Sequence, residues 1–391
     1  MMPGSNLFAA GAVLTAVMLL PLNAAARGLS AGKARKEAER LRTEWLRNVR
    51  TGYESSWQGK RLETGGRTMP FDYIKYGPKP AGGYSLYISL HGGGSTPSEV
   101  NDQQWRNQIR LYRPEGAIYL APRAPYDDWD MWFKPGLDDF YRQLIRMAVA
   151  FEDVNPDKVY LIGYSAGGDG VWRMAPRMAD AWAAASMMAG HPGDVSLLNL
   201  RNLPFMNWCG ELDSAYDRNL RNRERGQELD SLQRADPEGY VHQTHIVAGK
   251  GHWMDRADTA AVSWLQQFER NPYPRKIVWR QEEVVSPHFY WLSAPADELE
   301  KGKTVRLERT GNEVNITQCD YSSLTLFFSD EMVNLDKPVI VKSGGKELFR
   351  GKLKRTKRNL QRTLNERGDC RYMFPASVRV RTDNETPRPV N

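Results

Sequence analysis

The sequence contains few cysteines and histidines, the residues that hold zinc or, for cysteine, build disulfide frameworks. Its 391 residues include three cysteines and six histidines, and no two cysteines have the spacing of a zinc site. No nucleic-acid-binding motif is present. After the first 26 residues, no apolar run approaches the length of a membrane span. The full sequence is 41% hydrophobic and 26% charged, which is ordinary for a globular protein with a sizeable core.

Charge is missing altogether from the first 26 residues. There, the apolar run of residues 7–22 (LFAAGAVLTAVMLLPL) leads into Asn-Ala-Ala-Ala at 23–26. A short apolar core followed by small residues predicts a secretory signal, cut after Ala26. The missing Lys or Arg before the run departs from the usual signal, so an uncleaved membrane anchor is the alternative. Pro21 and the small-residue site argue against it, and we expect an exported protein, periplasmic or extracellular.

Export would allow two of the three cysteines to be oxidised. Cys319 and Cys370 both lie in the C-terminal part and are the better candidates for a pair, although sequence alone does not establish the pairing. Cys209 lies in an apolar, strand-like run, PFMNWCG. We therefore expect Cys209 to be a buried thiol.

Strand-like and helical patterns alternate over residues 67–272. This alternation predicts an α/β fold with a doubly wound, mostly parallel sheet. Residues 27–66 have the apolar spacing of an amphipathic helix and a lead-in to that domain. From residue 273 to 391, short alternating runs between turns predict a small antiparallel β domain.

The predicted β domain is rich in basic residues. From Lys337 onward there are fifteen lysines and arginines but five acidic residues, and the densest part is 352–358, KLKRTKR. Such charge is usually a solvated surface. The alternative is a contact with an anionic polymer or surface. A nucleic-acid partner is not expected for an exported chain that lacks such motifs.

The most informative stretch is residues 157–169, DKVYLIGYSAGGD. Apolar, β-forming residues run directly into G-Y-S-A-G, which has the G-x-S-x-G spacing of a serine nucleophile at a sharp strand-to-helix turn. The glycines permit that turn and leave the serine exposed. The alternative is a glycine-rich turn with an incidental serine, because the pattern alone is common. The preceding strand favours Ser165 as a nucleophile.

A serine hydroxyl needs a base, and the base needs an acid to orient it. Each is expected just after a strand, at the carboxyl edge of the sheet. Asp213 follows the strand-like run PFMNWCG, and His252 follows another, in GKGHW. Glu211 and Asp217 are weaker candidates for the acid. The order Ser165, Asp213, His252 agrees with the order expected for this architecture.

A further segment, HGGG at 91–94, also follows a predicted strand. Glycines let backbone N–H groups approach an oxyanion closely, so the predicted donors are Gly93, Gly94 and Ala166, the residue after the nucleophile. We expect His91 to brace this loop rather than to act as a base.

Aromatic residues near these segments are candidates for a substrate pocket. Trp129 and Trp132 lie in YDDWDMWF, where they either line a pocket or anchor the loop in the core. Tyr164 beside the serine and Trp253 beside the histidine are pocket candidates by position alone. His191 also follows a predicted strand and could edge the pocket.

HGGG at 91–94, GYSAGG at 163–168, GELD at 210–213 and GKGHW at 249–253 resemble the oxyanion, nucleophile, acid and histidine segments of α/β-hydrolases. The resemblance covers about half the chain, and within the superfamily it is closest to secreted esterases of the feruloyl esterase and polyhydroxybutyrate-depolymerase type. It implies acyl transfer through an acyl-enzyme, without metal or cofactor. Prolyl-oligopeptidase-type catalytic domains look similar too, but usually follow a large propeller, whereas only a short helical segment precedes here.

Three functions follow from these patterns. The first is an exported serine hydrolase that cleaves carboxylic esters of small molecules or polymers. The second is a serine peptidase acting on short peptides. The third is a non-catalytic protein that keeps a hydrolase fold and binds a surface or polymer through its basic β domain. The complete set of serine, acid, base and oxyanion segments favours an enzyme.

Overall fold

The computed structural model describes residues 28–382. The predicted signal peptide at 1–26 lies outside the described residues, as do residues 383–391. Within residues 28–382, no helix is both long enough and apolar enough to span a membrane. The same residues contain no cluster of three or more histidine, cysteine, aspartate or glutamate side chains arranged to hold a metal ion.

A large sheet forms the centre of the described chain. Its strands are β1 (Arg61–Thr64), β2 (Arg67–Tyr76), β3 (Tyr84–Leu90), β4 (Ala117–Pro122), β5 (Val154–Tyr164), β6 (Ala184–Met188), β7 (Phe205–Gly210) and β8 (His242–Val247). They lie in the order β1-β2-β4-β3-β5-β6-β7-β8. The pairs from β4 to β8 are parallel, whereas β1 and β2 join antiparallel at one edge. The mostly parallel sheet predicted from sequence is confirmed.

Helices surround the sheet and connect its strands. They are α1 (Ala31–Gln58), α2 (Ser98–Gln108), α3 (Leu137–Glu152), α4 (Ala166–Arg177), α5 (Arg218–Ala235) and α6 (Ala260–Leu265). Along β3, Leu86, Ile88 and Leu90 pack into a core with α3 and α4, while Tyr87 packs into a second core with α6. Successive strand residues point to opposite faces. The sheet is therefore covered on both faces, as a doubly wound fold requires.

The C-terminal part forms two further sheets. Its elements are β9 (Lys276–Arg280), β10 (His288–Phe289), β11 (Leu292–Ser293), β12 (Thr304–Thr310), β13 (Glu313–Cys319), β14 (Ser323–Phe328), β15 (Val339–Ser343), β16 (Lys346–Gly351), helix α7 (Lys357–Arg367) and β17 (Ala376–Arg381). One sheet has the order β16-β15-β13-β12-β9 and the other β10-β11-β14-β17. Neighbouring strands run antiparallel, as predicted, with β13 and β15 as a parallel pair. Helix α7 was not predicted.

A buried group of polar residues joins the C-terminal part to the end of α4. The carboxylate of Asp180, which is 1% exposed, forms an ion pair with Arg367 of α7. The backbone N–H of Tyr290 also donates to this carboxylate (3.2 Å), and the hydroxyl of Tyr372 donates to the Asp180 carbonyl oxygen (2.8 Å). A buried charge is tolerated only when such partners surround it. These contacts fix the C-terminal part against the α/β part.

We expect Arg367→Ala to lower the free energy of unfolding by about 3–5 kcal/mol, because the Asp180 carboxylate would be left buried without its countercharge. Chemical denaturation measures this change. The control is Arg362→Ala on the same helix, whose pair with Glu366 is partly exposed and contributes at most about 1 kcal/mol. Equal losses for the two variants would show that the Asp180 pair does not hold the parts together.

The three cysteines are free thiols. The candidate Cys319–Cys370 disulfide, which the sequence left open, is therefore not formed in this structure. Cys319 ends β13, and its thiol donates to the carbonyl oxygen of Tyr321 (3.7 Å), whereas Cys370 lies beside Arg42 of α1. The two thiols thus face different neighbours. Cys209 is fully buried in β7, as predicted.

Part of the basic stretch at 352–358 has a structural role. Arg355 is buried and pairs with Asp330 (2.6 Å) and Asp336 (2.7 Å). Lys357 lies 3.1 Å from Glu37 of α1. These pairs neutralise part of the positive charge at 352–358 that could otherwise contact an anionic polymer.

Candidate active site

Ser165 occupies a strained turn between β5 and α4. Its φ is 57° and its ψ is −122°, a conformation that a residue with a side chain rarely adopts. The surrounding backbone is crowded: a Cβ at Gly163 would lie 2.3 Å from the Gly167 carbonyl oxygen, and one at Gly167 would lie 2.1 Å from that of Leu90. The glycines of G-x-S-x-G are thus required by close packing. The Ser165 N–H donates to the Met188 carbonyl (2.9 Å), which fixes the turn.

Three side chains that the sequence analysis selected lie in one hydrogen-bonded chain. His252 Nε2 is 2.9 Å from Ser165 Oγ, and His252 Nδ1 is 2.8 Å from Asp213 Oδ2. The Asp213 carboxylate accepts hydrogen bonds, so it places the imidazole proton on Nδ1. Nε2 is then free to accept the proton of the serine hydroxyl. This is the geometry of a serine nucleophile with its base and orienting acid.

The other acid candidates lie elsewhere. Asp213 is 3% exposed and follows β7, whereas Glu211 accepts a hydrogen bond from the Gly249 N–H (2.9 Å) and so holds the loop before His252. Asp217 is exposed at the start of α5. The structure therefore brings Asp213, and neither alternative, to His252.

Tyr164 and Trp253 support the His252 loop and lie outside the cavity wall. The Tyr164 hydroxyl donates to the His252 carbonyl oxygen (2.6 Å), and burial raises its pKa. The Trp253 ring packs against Tyr164 at a centroid distance of 5.6 Å. Neither side chain lines the cavity over Ser165. Their predicted place in the pocket is corrected: Tyr164 is hydrogen-bonded to the His252 backbone, and Trp253 packs on Tyr164.

His91 braces the glycine loop, as predicted. The Ala124 N–H donates to His91 Nε2 (3.1 Å), so the ring proton is on Nδ1, which donates to the Gly92 carbonyl oxygen (2.6 Å). Burial lowers the pKa of His91 to about 3. A neutral imidazole with both nitrogens engaged acts as a structural spacer under the loop.

The three predicted oxyanion donors, Gly93, Gly94 and Ala166, differ in whether their N–H groups are already hydrogen-bonded. The Gly94 N–H donates to the buried Asn101 side chain at 2.9 Å, so this predicted donor is already engaged. Gly93 and Ala166 lie in the cavity wall beside Ser165, and their N–H groups make no hydrogen bond within residues 28–382. The two remaining N–H groups are available for a ligand oxygen.

A cavity of about 350 Å³ opens over Ser165. Trp129 is 60% exposed and, with Phe133, forms its aromatic wall; the two rings meet edge to face at 5.4 Å. Trp132 is instead completely buried, and its indole N–H donates to the His91 carbonyl oxygen (2.9 Å). Its predicted place in the pocket is wrong, because it anchors the loop in the core.

Charged side chains complete the cavity wall, and of the residues described next only His191 was predicted from the sequence. Asp169 and Arg173 lie four residues apart on α4 and so share one helix face. Arg218 comes from the start of α5, and His191 from the loop after β6. Burial raises the pKa of Asp169 to about 6, while its carboxylate accepts the His191 N–H (2.6 Å). The sequence did contain a signal for two of these residues: Asp169 and Arg173 follow Ser165 at steps of four, which places them on the same helix face.

An eight-stranded sheet with a serine at the sharp turn after β5 constitutes an α/β-hydrolase fold, as predicted. No protein-family model and no curated protein matches the sequence. Among solved structures, a thermostable esterase is 19% identical over 54% of this chain and 62% of its own, with a TM-score of 0.41. A ferulic acid esterase is 17% identical over 53% and 96% (TM-score 0.38). The poly(3-hydroxybutyrate) depolymerase of Bordetella parapertussis is 15% identical over 54% and 90% (TM-score 0.39). At these identities the likeness concerns the fold alone.

Proposed function

We propose that this chain is an exported serine hydrolase that cleaves carboxylic esters through an acyl-enzyme on Ser165. The observation that carries the proposal is the hydrogen-bonded chain Ser165–His252–Asp213, with distances of 2.9 and 2.8 Å, whose serine lines an open cavity. A strained serine with an oriented base beside two unused N–H groups combines the parts that acyl transfer needs.

In the first half of the reaction, His252 Nε2 takes the proton of the Ser165 hydroxyl as Oγ attacks the ester carbonyl carbon. The carbonyl oxygen becomes an oxyanion, and the N–H groups of Gly93 and Ala166 donate to it. Asp213 stabilises the imidazolium. When the tetrahedral intermediate collapses, the bond to the leaving oxygen breaks, and that oxygen takes the proton from His252. The alcohol leaves, and the acyl group stays on Ser165.

In the second half, a water molecule replaces the alcohol. His252 Nε2 takes a proton from this water, whose oxygen attacks the acyl carbon. A second oxyanion forms in the same place. Its collapse breaks the bond to Ser165 Oγ, which takes its proton back from His252. The carboxylic acid leaves, and the enzyme returns to its starting state without consuming any cofactor.

Asn101 keeps the Gly93–Gly94 turn in position. It is fully buried on α2, accepts the Gly94 N–H, and donates to the Thr96 carbonyl (3.2 Å) and to Asp127 (2.8 Å). A Cβ at Gly93 would lie 2.2 Å from the Asn101 oxygen, so the turn rests directly on this side chain. Asn101 therefore determines the direction of the Gly93 N–H, which is the proposed oxyanion donor on this turn.

We expect Asn101→Ala to lower kcat for ester hydrolysis about 10- to 100-fold with a smaller change in KM, because a displaced oxyanion donor affects the transition state most. Steady-state kinetics with p-nitrophenyl butyrate measures both constants. Asn107→Ala, on the exposed side of α2, is the matched control and should keep wild-type values. A loss confined to KM would contradict this role for Asn101.

The ester proposal competes with the peptidase alternative on the same catalytic residues. A panel of p-nitrophenyl esters and aminoacyl-coumarin amides separates them. We expect turnover of esters and, for the amides, kcat/KM lower by several orders of magnitude. Comparable turnover of amides would favour the peptidase. No turnover of either class, together with no labelling of Ser165 by an active-site probe, would leave the non-catalytic alternative in place of both.

Export and polymer contact belong to this proposal as well. Export is supported by the apolar run at 7–22 and the small residues at 23–26. The mature protein recovered from the producing cells should then begin at Arg27, and a full-length chain retained in the cytoplasm would contradict export.

For contact with an anionic polymer, the exposed Lys352, Lys354 and Arg358 are the available charges. Salt-sensitive retention on a sulfated resin, lost when all three become glutamate, is the expected result.

A further inference from the structure

Two arginines line the cavity over Ser165, and their guanidinium groups make no hydrogen bond within residues 28–382. They are Arg173 and Arg218, and the Nε atom of each is buried. A guanidinium has five N–H donors, and buried donors are normally satisfied. Unsatisfied donors at the wall of an active-site cavity point to a ligand that supplies acceptors.

Both guanidinium groups are nevertheless held in place. Arg173 lies over the Phe133 ring, 5.2 Å from its centroid, and Arg218 lies over the Tyr216 ring at 5.0 Å. Stacking on an aromatic face orients a guanidinium and leaves its N–H edge free. Arg218 also forms an ion pair with Asp213, but the nitrogen–oxygen distance of 3.6 Å is too long for a hydrogen bond. The arginines are positioned and keep their donors available.

The charge balance of the cavity wall favours an anion. Asp169 is the acidic side chain in the wall, against two arginines. Its carboxylate already accepts the His191 N–H, and the residues described show no ion pair between it and Arg173. Trp129 and Phe133 add an apolar face to the same cavity. A ligand that matches this wall has an apolar part and a negatively charged group.

We propose that the esters this site prefers carry a free carboxylate, which Arg173 and Arg218 bind while the apolar part of the substrate lies against Trp129 and Phe133. A planar carboxylate fits the fork of guanidinium N–H groups. The inference rests on the proposed ester hydrolysis at Ser165 and specifies its substrate class. Catalysis by Ser165 does not require a carboxylate on the substrate. An experiment can therefore refute the carboxylate preference and leave the proposed ester hydrolysis intact.

Two pairs of substrates test the preference on either side of the scissile bond. The acyl-side pair is the p-nitrophenyl hemiester of glutaric acid and p-nitrophenyl pentanoate. The alcohol-side pair is the butyrate ester of 3-hydroxybenzoate and phenyl butyrate. In at least one pair, we expect the wild-type kcat/KM to be about tenfold or more higher for the carboxylate ester, as charge-assisted hydrogen bonds imply. This preference should shrink as NaCl rises from about 0.05 to 0.5 M.

Substitutions test whether the charged residues of the cavity wall cause the preference for carboxylate esters. Arg173→Gln should lower the ratio of carboxylate to neutral ester about tenfold or more, and Asp169→Asn should raise it. Arg221→Gln is the matched control, because Arg221 carries the same charge in the adjoining groove and is absent from the cavity wall. This variant should change the ratio by less than about threefold.

Two results would overturn the inference. Wild-type protein that hydrolyses the neutral esters as well as the carboxylate esters in both pairs would refute the substrate class and leave the serine hydrolase intact. A preference that Arg221→Gln lowers as much as Arg173→Gln does would come from overall charge and not from these arginines. Absence of hydrolysis in every arm, together with no reaction of Ser165 with an active-site probe, would refute the proposed function and this inference with it.

Discussion

Ser165→Ala is expected to lower kcat/KM for p-nitrophenyl esters about a million-fold, which is the scale of loss for nucleophiles that act as a unit with their base. The reason is chemical: without Oγ there is no acyl-enzyme, and the oriented His252 has no proton to take. The residual rate should come only from stabilisation of the oxyanion by its N–H donors and from binding of the substrate in the cavity. Burst kinetics of p-nitrophenol release, present in wild type if deacylation is slow, should disappear in the variant.

The matched control for this loss is Ser95→Ala. Ser95 lies in the wall of the same cavity and makes no side-chain hydrogen bond within residues 28–382, so its replacement should change kcat/KM by less than about tenfold. Both variants should fold, since each removes a single oxygen atom. Wild-type activity in Ser165→Ala would show that the nucleophile is another residue.

Asp213→Asn is expected to lower kcat about 10⁴-fold, with the protein still folded. An amide in place of the carboxylate can donate to His252 Nδ1, which would place the imidazole proton on Nε2, facing Ser165 Oγ. The base would then be unable to accept the serine proton. The loss should be smaller than that of Ser165→Ala, because a fraction of the imidazole can still adopt the productive tautomer. Stopped assays at high enzyme concentration can measure this rate.

Asp217→Asn is the control for that experiment. Asp217 was the competing acid in the sequence analysis, and it lies exposed at the start of α5. Its replacement should leave kcat within about threefold of wild type. If Asp217→Asn and Asp213→Asn caused similar losses, the hydrogen bond between Asp213 and His252 would not explain the orientation of the base.

The central arrangement could be predicted from sequence because each part follows a strong local signal. Ser165 follows β5 directly, Asp213 lies three residues after β7 and His252 five residues after β8. The carboxyl ends of parallel strands meet at one edge of a sheet. The glycines at 163 and 167 show why the local pattern was informative: close packing against backbone oxygens permits no larger residue at either position. A steric requirement of this kind appears in the sequence as a pattern, G-x-S-x-G, that can be recognised without the structure.

Other features depended on contacts that no local pattern reveals. Helix α2, with the sequence SEVNDQQWRNQ, has almost no apolar periodicity, so neither the helix nor the role of Asn101 could be predicted. Whether the Gly94 N–H faces a substrate or a side chain depends on that same packing. Trp129 and Trp132 have similar sequence surroundings, yet one lines the cavity and the other lies in the core. Burial of a given aromatic side chain is decided by tertiary structure.

The C-terminal sheets contribute no residue to the wall of the cavity over Ser165, whose described lining runs from Gly93 to Arg218. They are nevertheless fixed to the α/β part through the Asp180–Arg367 pair and the hydroxyl of Tyr372. Stability and catalysis are thus separable in this chain. Variants of the interface should shift the unfolding transition and leave the kinetic constants of the remaining folded protein unchanged.

The most direct test of the account is reaction with a fluorophosphonate probe, followed by mass spectrometry of the labelled peptide. Such a probe reports whether one serine is activated as a nucleophile, independently of the natural substrate. The account predicts a single phosphonylated residue, Ser165, with labelling lost in Ser165→Ala and strongly slowed in Asp213→Asn. A folded wild-type protein that is not labelled, or one labelled equally well after Ser165→Ala, would contradict it.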